Sequence, residues 1–376
     1  MITIYVINKT RCEPEVSFLL FFHLFAVFLF NHVMFDPGYM GDQVHYFDRA
    51  FRYRNGLSDL SEGRFDKEGF ASRLYAFFPI PFIETIYSVC LINYLLFVGL
   101  FMLLRRNNFL FALDKWVYLL YPSLLLYSSL ALRDWMVTFC MVVLGLCVFQ
   151  RRYLFMALFL WLLLTLKTQN FLIFLAAYAG YALFSNRVSF GMRLALLGAT
   201  GAVIGAFREW FSLDRLNLYR KAMYWEDFRN YDNYEGIEGY GDLLWKTLTS
   251  IPYMLLKPLP WEAGSAFQLV QSLENLGLFL LVCYAAWNTR KCRLPGNPVL
   301  FVNLYFFIGM AVNGLVVSNF GTAVRYKFPF VVFYLVFSLG LWRQWKQGRE
   351  DSGLLVEKPD WRQDDGPVAS VEKERS

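Results

Sequence analysis

Apolar runs close to the length of a bilayer crossing recur along the whole chain, separated by short polar connections and by two long ones. A helix needs about 20 apolar residues to cross a hydrocarbon core roughly 30 Å thick. The pattern predicts about ten such helices, at residues 16–35, 80–104, 108–128, 134–149, 153–167, 169–185, 188–207, 266–288, 298–317 and 328–343. The fifth and sixth are divided only by Lys167-Thr168-Gln169-Asn170, which also fits one long bent hairpin. The expected fold is an all-α, polytopic transmembrane bundle over residues 1–343, with long loops at 36–79 and 208–250. Residues 344–376 are charged, punctuated by Gly and Pro, and too poor in apolar side chains to order themselves, so they read as a disordered tail. The first run has no small-residue cleavage site after it and reads as a retained span rather than a signal.

Composition strengthens the membrane reading. Of 376 residues, 57% are hydrophobic and 19% aromatic, whereas a soluble domain is nearer half apolar and rarely holds such long runs. The net charge of +6 comes from basic residues scattered between spans, not gathered in a domain, so nucleic acid is not an expected partner. The six cysteines avoid both long loops and show no C-x-x-C or Cys/His ligand spacing, so neither a disulfide framework nor a zinc site is expected. No cofactor is indicated, a divalent metal being left open, and oligomeric state is not legible. Arg105-Arg106, Arg151-Arg152, Arg187, Arg290-Lys291 and Arg343 fall on one side, in connections with hardly any acids. The positive-inside rule makes that side cytoplasmic and puts both termini there. Both long loops, the Arg133-Asp134 pair, Lys167 to Asn170 and the segment NFGTAVRYK then share the outer face.

Candidate chemistry gathers on that face. YPSLLLYSSLALRDW (121–135) puts Arg133 and Asp134 in a tight turn between two apolar runs, where charge is costly and usually kept for a task. Two readings stand for the pair. Arg133 snorkels while Asp134 complements a helix dipole, or Arg133 makes bidentate contact with a phosphate. In the first long loop the spacing predicts a helix after Gly41, with an apolar face of Val44, Phe47 and Phe51 lying on the leaflet and a stripe of Asp42, Tyr46, Arg49 and Tyr53 elsewhere. Asp42 is either its cap or a general base. A second amphipathic piece, FASRLYAFFPIP, follows. IPYMLLKPLPWEAGSAF, with Glu262, is too short and too Pro-rich to span and fits a re-entrant segment. Gln268, Gln271, Glu274 and Asn275 share one face of the eighth run, and Glu274 lies about two turns deep. An intramembrane carboxylate is a functional candidate, a structural hydrogen bond being its bland counterpart. Arg325 and Lys327 stand at the mouth of the last run, as an anion clamp or as helix anchors, with Lys167 and Asn170 at similar depth.

Taken together, GDQVHYFDRAF, YPSLLLYSSLALRDW, KPLPWEAGSAFQLVQSLENLG and NFGTAVRYKFPF resemble stretches of polytopic proteins from bacterial surface-polysaccharide clusters, the O-antigen polymerase (Wzy-like) and EpsG-like group. The first loop is similar in layout to that of GT-C glycosyltransferases. The resemblance implies an enzyme of the bacterial inner membrane that uses a polyprenyl-phosphate- or pyrophosphate-linked sugar on the outer face, either polymerising it or transferring a single sugar. It implies a catalytic role for Asp42 and phosphate-binding roles for Arg133 and Arg325; Asp134 and Glu274 stand beside Asp42 as acidic catalytic candidates on their own placement. Arg133, Lys167, Asn170, Arg325, Lys327, Tyr46 and Glu262 become substrate-binding candidates. The chain departs from the group in having no acidic pair at Asp42 and a lysine at 167 where an arginine is expected. The rival classes are a transporter or flippase of a lipid-linked saccharide, supported by the polar stripe at Glu274, and a non-catalytic assembly subunit.

Overall fold

The computed structural model describes residues 12–57, 67–78, 85–184, 189–206, 212–226, 234–294, 297–317 and 319–351. Among them every regular element is helical. In chain order these are α1 (Pro14–Phe28, running on through a π-type turn at Leu29–Val33), α2 (Gly41–Arg54), α3 (Lys67–Phe77), α4 (Tyr87–Arg106) and α5 (Leu113–Leu120). Next come α6 (Pro122–Ser129), α7 (Asp134–Gln150), α8 (Tyr153–Leu166), α9 (Thr168–Phe184) and α10 (Phe190–Ala206). The last five are α11 (Leu213–Glu226), α12 (Tyr240–Leu256), α13 (Ala266–Thr289), α14 (Pro298–Val316) and α15 (Phe320–Asp351). Five of these helices, α1, α4, α13, α14 and α15, are long and apolar enough to cross a membrane, and six crossings result if the bent pair α6 and α7 counts as one. The chain is a multi-pass helical membrane protein.

Three elements differ from the sequence expectation. The run at 108–128 is not one helix, because Pro122 has no N–H to donate and its ring disfavours helical backbone at Tyr121, which is extended. Two eight-residue helices result. The last helix begins at Phe320, not 328, and continues to Asp351, past the expected start of the tail; residues 352–376 lie outside the described residues. Finally, residues 240–250, expected as part of a loop, open helix α12. That helix lies against α14, with the Ser250 hydroxyl donating to the Ala311 carbonyl at 3.2 Å.

Helix α15 is the axis of the bundle. Of its most apolar stretch 89% is buried, against 28% for α13, whose Phe267, Leu273, Leu280 and Trp287 face outward as lipid-facing side chains do. Small residues let the neighbours approach. Gly309 of α14 lies under the Phe330 ring and Gly145 of α7 against Phe333 and Phe337, the close-packing device of membrane helices. The long connections gather at one end. There Arg220 of α11 donates to the carbonyls of Leu315 and Glu235, and α2 meets the start of α15. At the opposite end Arg343 pairs with Asp114 and Lys115 with Glu13.

Candidate functional site

The chain between α6 and α7 turns through 117° at Leu130–Arg133 without helical hydrogen bonds. Non-helical backbone at such depth must be satisfied by protein. Here four other helices do it. The Asn93 amide of α4 donates to the carbonyls of Leu130 (2.6 Å) and Leu132 (3.0 Å). The Tyr75 hydroxyl of α3 donates to Leu132 O (2.9 Å) and Asn93 Oδ1 (3.0 Å). The Ala131 N–H donates to Gln43 Oε1 of α2 (2.9 Å), and Asn31 at the end of α1 donates to Ser129 O (3.1 Å). Losing Asn93 removes the 2.6 Å donor to the Leu130 carbonyl, which then keeps the Leu132 N–H at 2.9 Å, and one of the side-chain donors to the Leu132 carbonyl. Asn93→Ala should therefore lower stability by about 1–3 kcal/mol, read from thermal unfolding in detergent; an unchanged midpoint would mean the turn holds itself.

This turn presents Asp134, only 2% exposed, at the start of α7. Arg325 of α15 spans two carboxylates, with Nε 2.5 Å from Asp134 Oδ2 and Nη1 2.5 Å from Asp42 Oδ2. Lys167, at the break between α8 and α9, places Nζ 3.5 Å from Asp134 Oδ1 and 3.7 Å from the centre of the Tyr326 ring. Arg133 lies close enough for its charge to act on both Asp134 and Lys167. Its guanidinium carbon is 5.9 Å from the Tyr46 ring, and its Nε and Nη1 are buried with no acceptor among the described residues. Arg133, Asp134, Lys167, Arg325, Asp42 and Tyr46, six of the residues singled out from the sequence, thus form one cluster. It holds three cations and two carboxylates.

Helix α2 packs against the bundle through the face that carries Tyr46. Gln43, Tyr46 and Ala50 pack inward, while Val44 is 43% exposed and Phe47 and Phe51 are half-buried. Where lipid is the solvent, the apolar face can look outward and the polar stripe is the one that needs protein partners. Asp42 sits in the first turn, the N-cap position being Met40 with no side-chain cap, so its carboxylate goes to Arg325 and does not cap the helix.

Arg325 and Lys327 do not act as a pair. Because α15 already begins at Phe320, two positions along it point about 200° apart. Lys327 is buried on the far side, where Nζ donates to Asn275 Oδ1 (2.5 Å) and the Asn275 amide donates to Lys257 O (2.8 Å). Beside it the Ser123 hydroxyl of α6 donates to Glu274 (2.5 Å). Glu274 therefore belongs to a second polar cluster, between α6, α13 and α15. Asn170 is turned toward the Met141 sulfur at 3.2 Å and stands outside both clusters.

Glu262 is taken up by its own turn, accepting from the Leu259 N–H at 2.9 Å and pairing with Lys257. Burial pushes its carboxyl up, but the Leu259 N–H and the Lys257 ammonium outweigh this and hold it below the ordinary value of 4.5. A lowered folded-state value means the stabilisation is complete above about pH 4.5 and is lost as pH falls through that lower value. Fluorescence of the neighbouring, exposed Trp261 should change on acidification from pH 6 to 3 in the wild type and stay flat in Glu262→Gln. Equal curves would place the transition elsewhere.

The polar residues that hold the turn, Asn31, Gln43, Tyr75 and Asn93, were not singled out from the sequence. Asn93 left a signal, a lone amide in the apolar run SVCLINYLLF. Among the described residues no group of three His, Cys, Asp or Glu side chains is placed to hold a metal ion. Fold and site together define a multi-pass helical membrane protein with a cation-rich charge cluster at one end of its bundle. No family model, curated protein or solved structure matches the chain.

Proposed function

We propose that the protein transfers or polymerises sugars from a polyprenyl-phosphate- or pyrophosphate-linked donor at the outer face of a bacterial inner membrane. The observation that carries this reading is Arg133, whose two buried N–H groups lack an acceptor among the described residues, in a cluster with one positive charge in excess. A donor with its tail in the bilayer presents its phosphate at this depth, and the cations that hold it stabilise the charge growing on it as it departs. Asp42 Oδ2 is held by Arg325, but its side chain is 52% exposed and so open to an approaching hydroxyl. In this reading an acceptor hydroxyl gives its proton to Asp42 as its oxygen bonds to the anomeric carbon. The anomeric carbon–oxygen bond breaks, and its electron pair leaves on the lipid phosphate.

Purified protein incubated with polyprenyl-linked oligosaccharide should give longer chains on a gel. Asp42→Asn, which keeps the size of the side chain, should lose about 10²–10⁴-fold in rate at normal abundance. Full turnover in that variant removes Asp42 from the chemistry. The second reading, transport of a lipid-linked saccharide, rests on the buried Glu274–Ser123 and Lys327–Asn275 pairs. It predicts retained function in Asp42→Asn and loss in Glu274→Gln, with movement of lipid but no new glycosidic bond.

The reading also fixes topology. About ten crossings, with α8, α9 and α10 among them, leave both termini cytoplasmic and both long connections outside. In a cysteine-free background, Asn55→Cys and Glu235→Cys should react with a membrane-impermeant maleimide added from outside, and Glu350→Cys should not. The reverse labelling pattern inverts the orientation and with it the outer-face assignment.

A further inference from the structure

We infer that the anion site at Arg133 takes a phosphodiester with one negative charge, so the donor lipid carries its sugar on a single phosphate and not on a diphosphate. The inference rests on the transferase reading for the sugar; the charge selectivity comes from the cluster itself. Two of the three Arg325 guanidinium nitrogens are bound to carboxylates, at 2.5 Å each, and its charge is shared between Asp134 and Asp42. The Lys167 ammonium is held between Asp134 and the Tyr326 ring. Lys327 cannot help, since it is buried and committed to Asn275 on the opposite side of α15. Within the cluster the donors buried without an acceptor among the described residues are both on Arg133, its Nε and Nη1, and they offer N–H groups to the oxygens of an anion lying against that guanidinium. The Tyr46 ring lies beside that guanidinium, 5.9 Å from its central carbon.

Charge count gives the same answer. Arg133, Lys167 and Arg325 against Asp42 and Asp134 leave one positive charge, which one phosphodiester neutralises. A diphosphate diester brings two negative charges, and its second phosphate either faces the two carboxylates or displaces Asp42 from Arg325. Uncompensated charge in a poorly hydrated site is what excludes wrong partners elsewhere.

A phosphodiester monoanion can come from a prenyl-phosphate sugar or from bulk phosphatidylglycerol, and the test separates them. The full chain is placed in nanodiscs of phosphatidylcholine, with or without phosphatidylglycerol. It is titrated with two fluorescent short-chain probes, a citronellyl phosphoryl hexose and a citronellyl diphosphoryl hexose, with no acceptor present. The monophosphate probe should bind at least about tenfold more tightly, and binding should be lost in Arg133→Gln. Asp42→Asn adds one to the positive excess and should narrow or reverse the preference, a shift that a merely structural role for Asp42 does not produce. Phosphatidylglycerol should leave the affinity for the probe unchanged; competition by it would make the site one for bulk lipid and overturn the donor assignment. Tighter diphosphate binding in the wild type, or Arg133→Gln binding like wild type, overturns the inference. Because these measurements involve no turnover, the selectivity can hold while glycosyl transfer fails, and the reverse, so the two readings fall separately.

Discussion

Replacing Asp134 with asparagine should destabilise the bundle by about 3–5 kcal/mol, the cost of removing one partner from a buried ionic network. The side chain has 3% of its surface exposed and meets Arg325 at 2.5 Å and Lys167 at 3.5 Å. Without it, Lys167 keeps only the Tyr326 ring, and Arg325 keeps a single, half-exposed partner in Asp42. Asparagine preserves shape, so the loss reports charge and not packing. Adding Arg325→Gln removes one of the stranded cations and should recover part of the deficit, giving a coupling between the two sites in a double-mutant cycle. Additive losses in thermal unfolding, or a single variant as stable as wild type, would show that the cluster does not hold the structure together.

A second large effect is expected at Gly314, where α12 crosses α14. A Cβ built there would lie 2.6 Å from the Ser250 carbonyl oxygen and 2.9 Å from its Cβ. The obstacle is backbone, so no rotamer change relieves it and the helices must separate. Gly314→Ala should cost about 1–3 kcal/mol and expose the amides of Tyr240–Leu256 to hydrogen exchange, most visibly around Ser250. Gly277→Ala in α13 is the matched control, since nothing lies within 4 Å of its Cβ. It should be neutral or stabilising by up to about 1 kcal/mol. Equal exchange in the two variants would remove the close crossing as the reason for glycine at 314.

The helical class and the positions of the long apolar helices were legible because lipid imposes long uninterrupted runs, and those survive any rearrangement of neighbours. The turn at Arg133-Asp134 was legible for a related reason, since charge there has no cheap explanation. What the sequence hid was direction. Lys327 was grouped with Arg325 because the two are neighbours in the chain, yet a helix that starts at Phe320 sends them to different clusters. The partners of the polar stripe of α2 were not legible, because Asp42 and Tyr46 meet Arg325 and Arg133 only once distant segments are folded together. Glu262 carried no mark to distinguish a ligand contact from a clip on its own turn. The polar side chains supporting the Leu130–Arg133 turn come from four helices, and no local pattern connects Asn31, Gln43, Tyr75 and Asn93 to it.

The pairing of Asp134 with Arg325 also has a history within each molecule. The two are 191 residues apart, and at about 5–20 residues per second a ribosome takes roughly 10–40 s to make that length. Through that interval a nascent carboxylate waits beside the bilayer without its principal counter-ion. Lys167 arrives one hairpin later and reaches the same carboxylate. Of the two cations that meet Asp134 from other helices, the lysine is therefore the first to be made and the arginine the second.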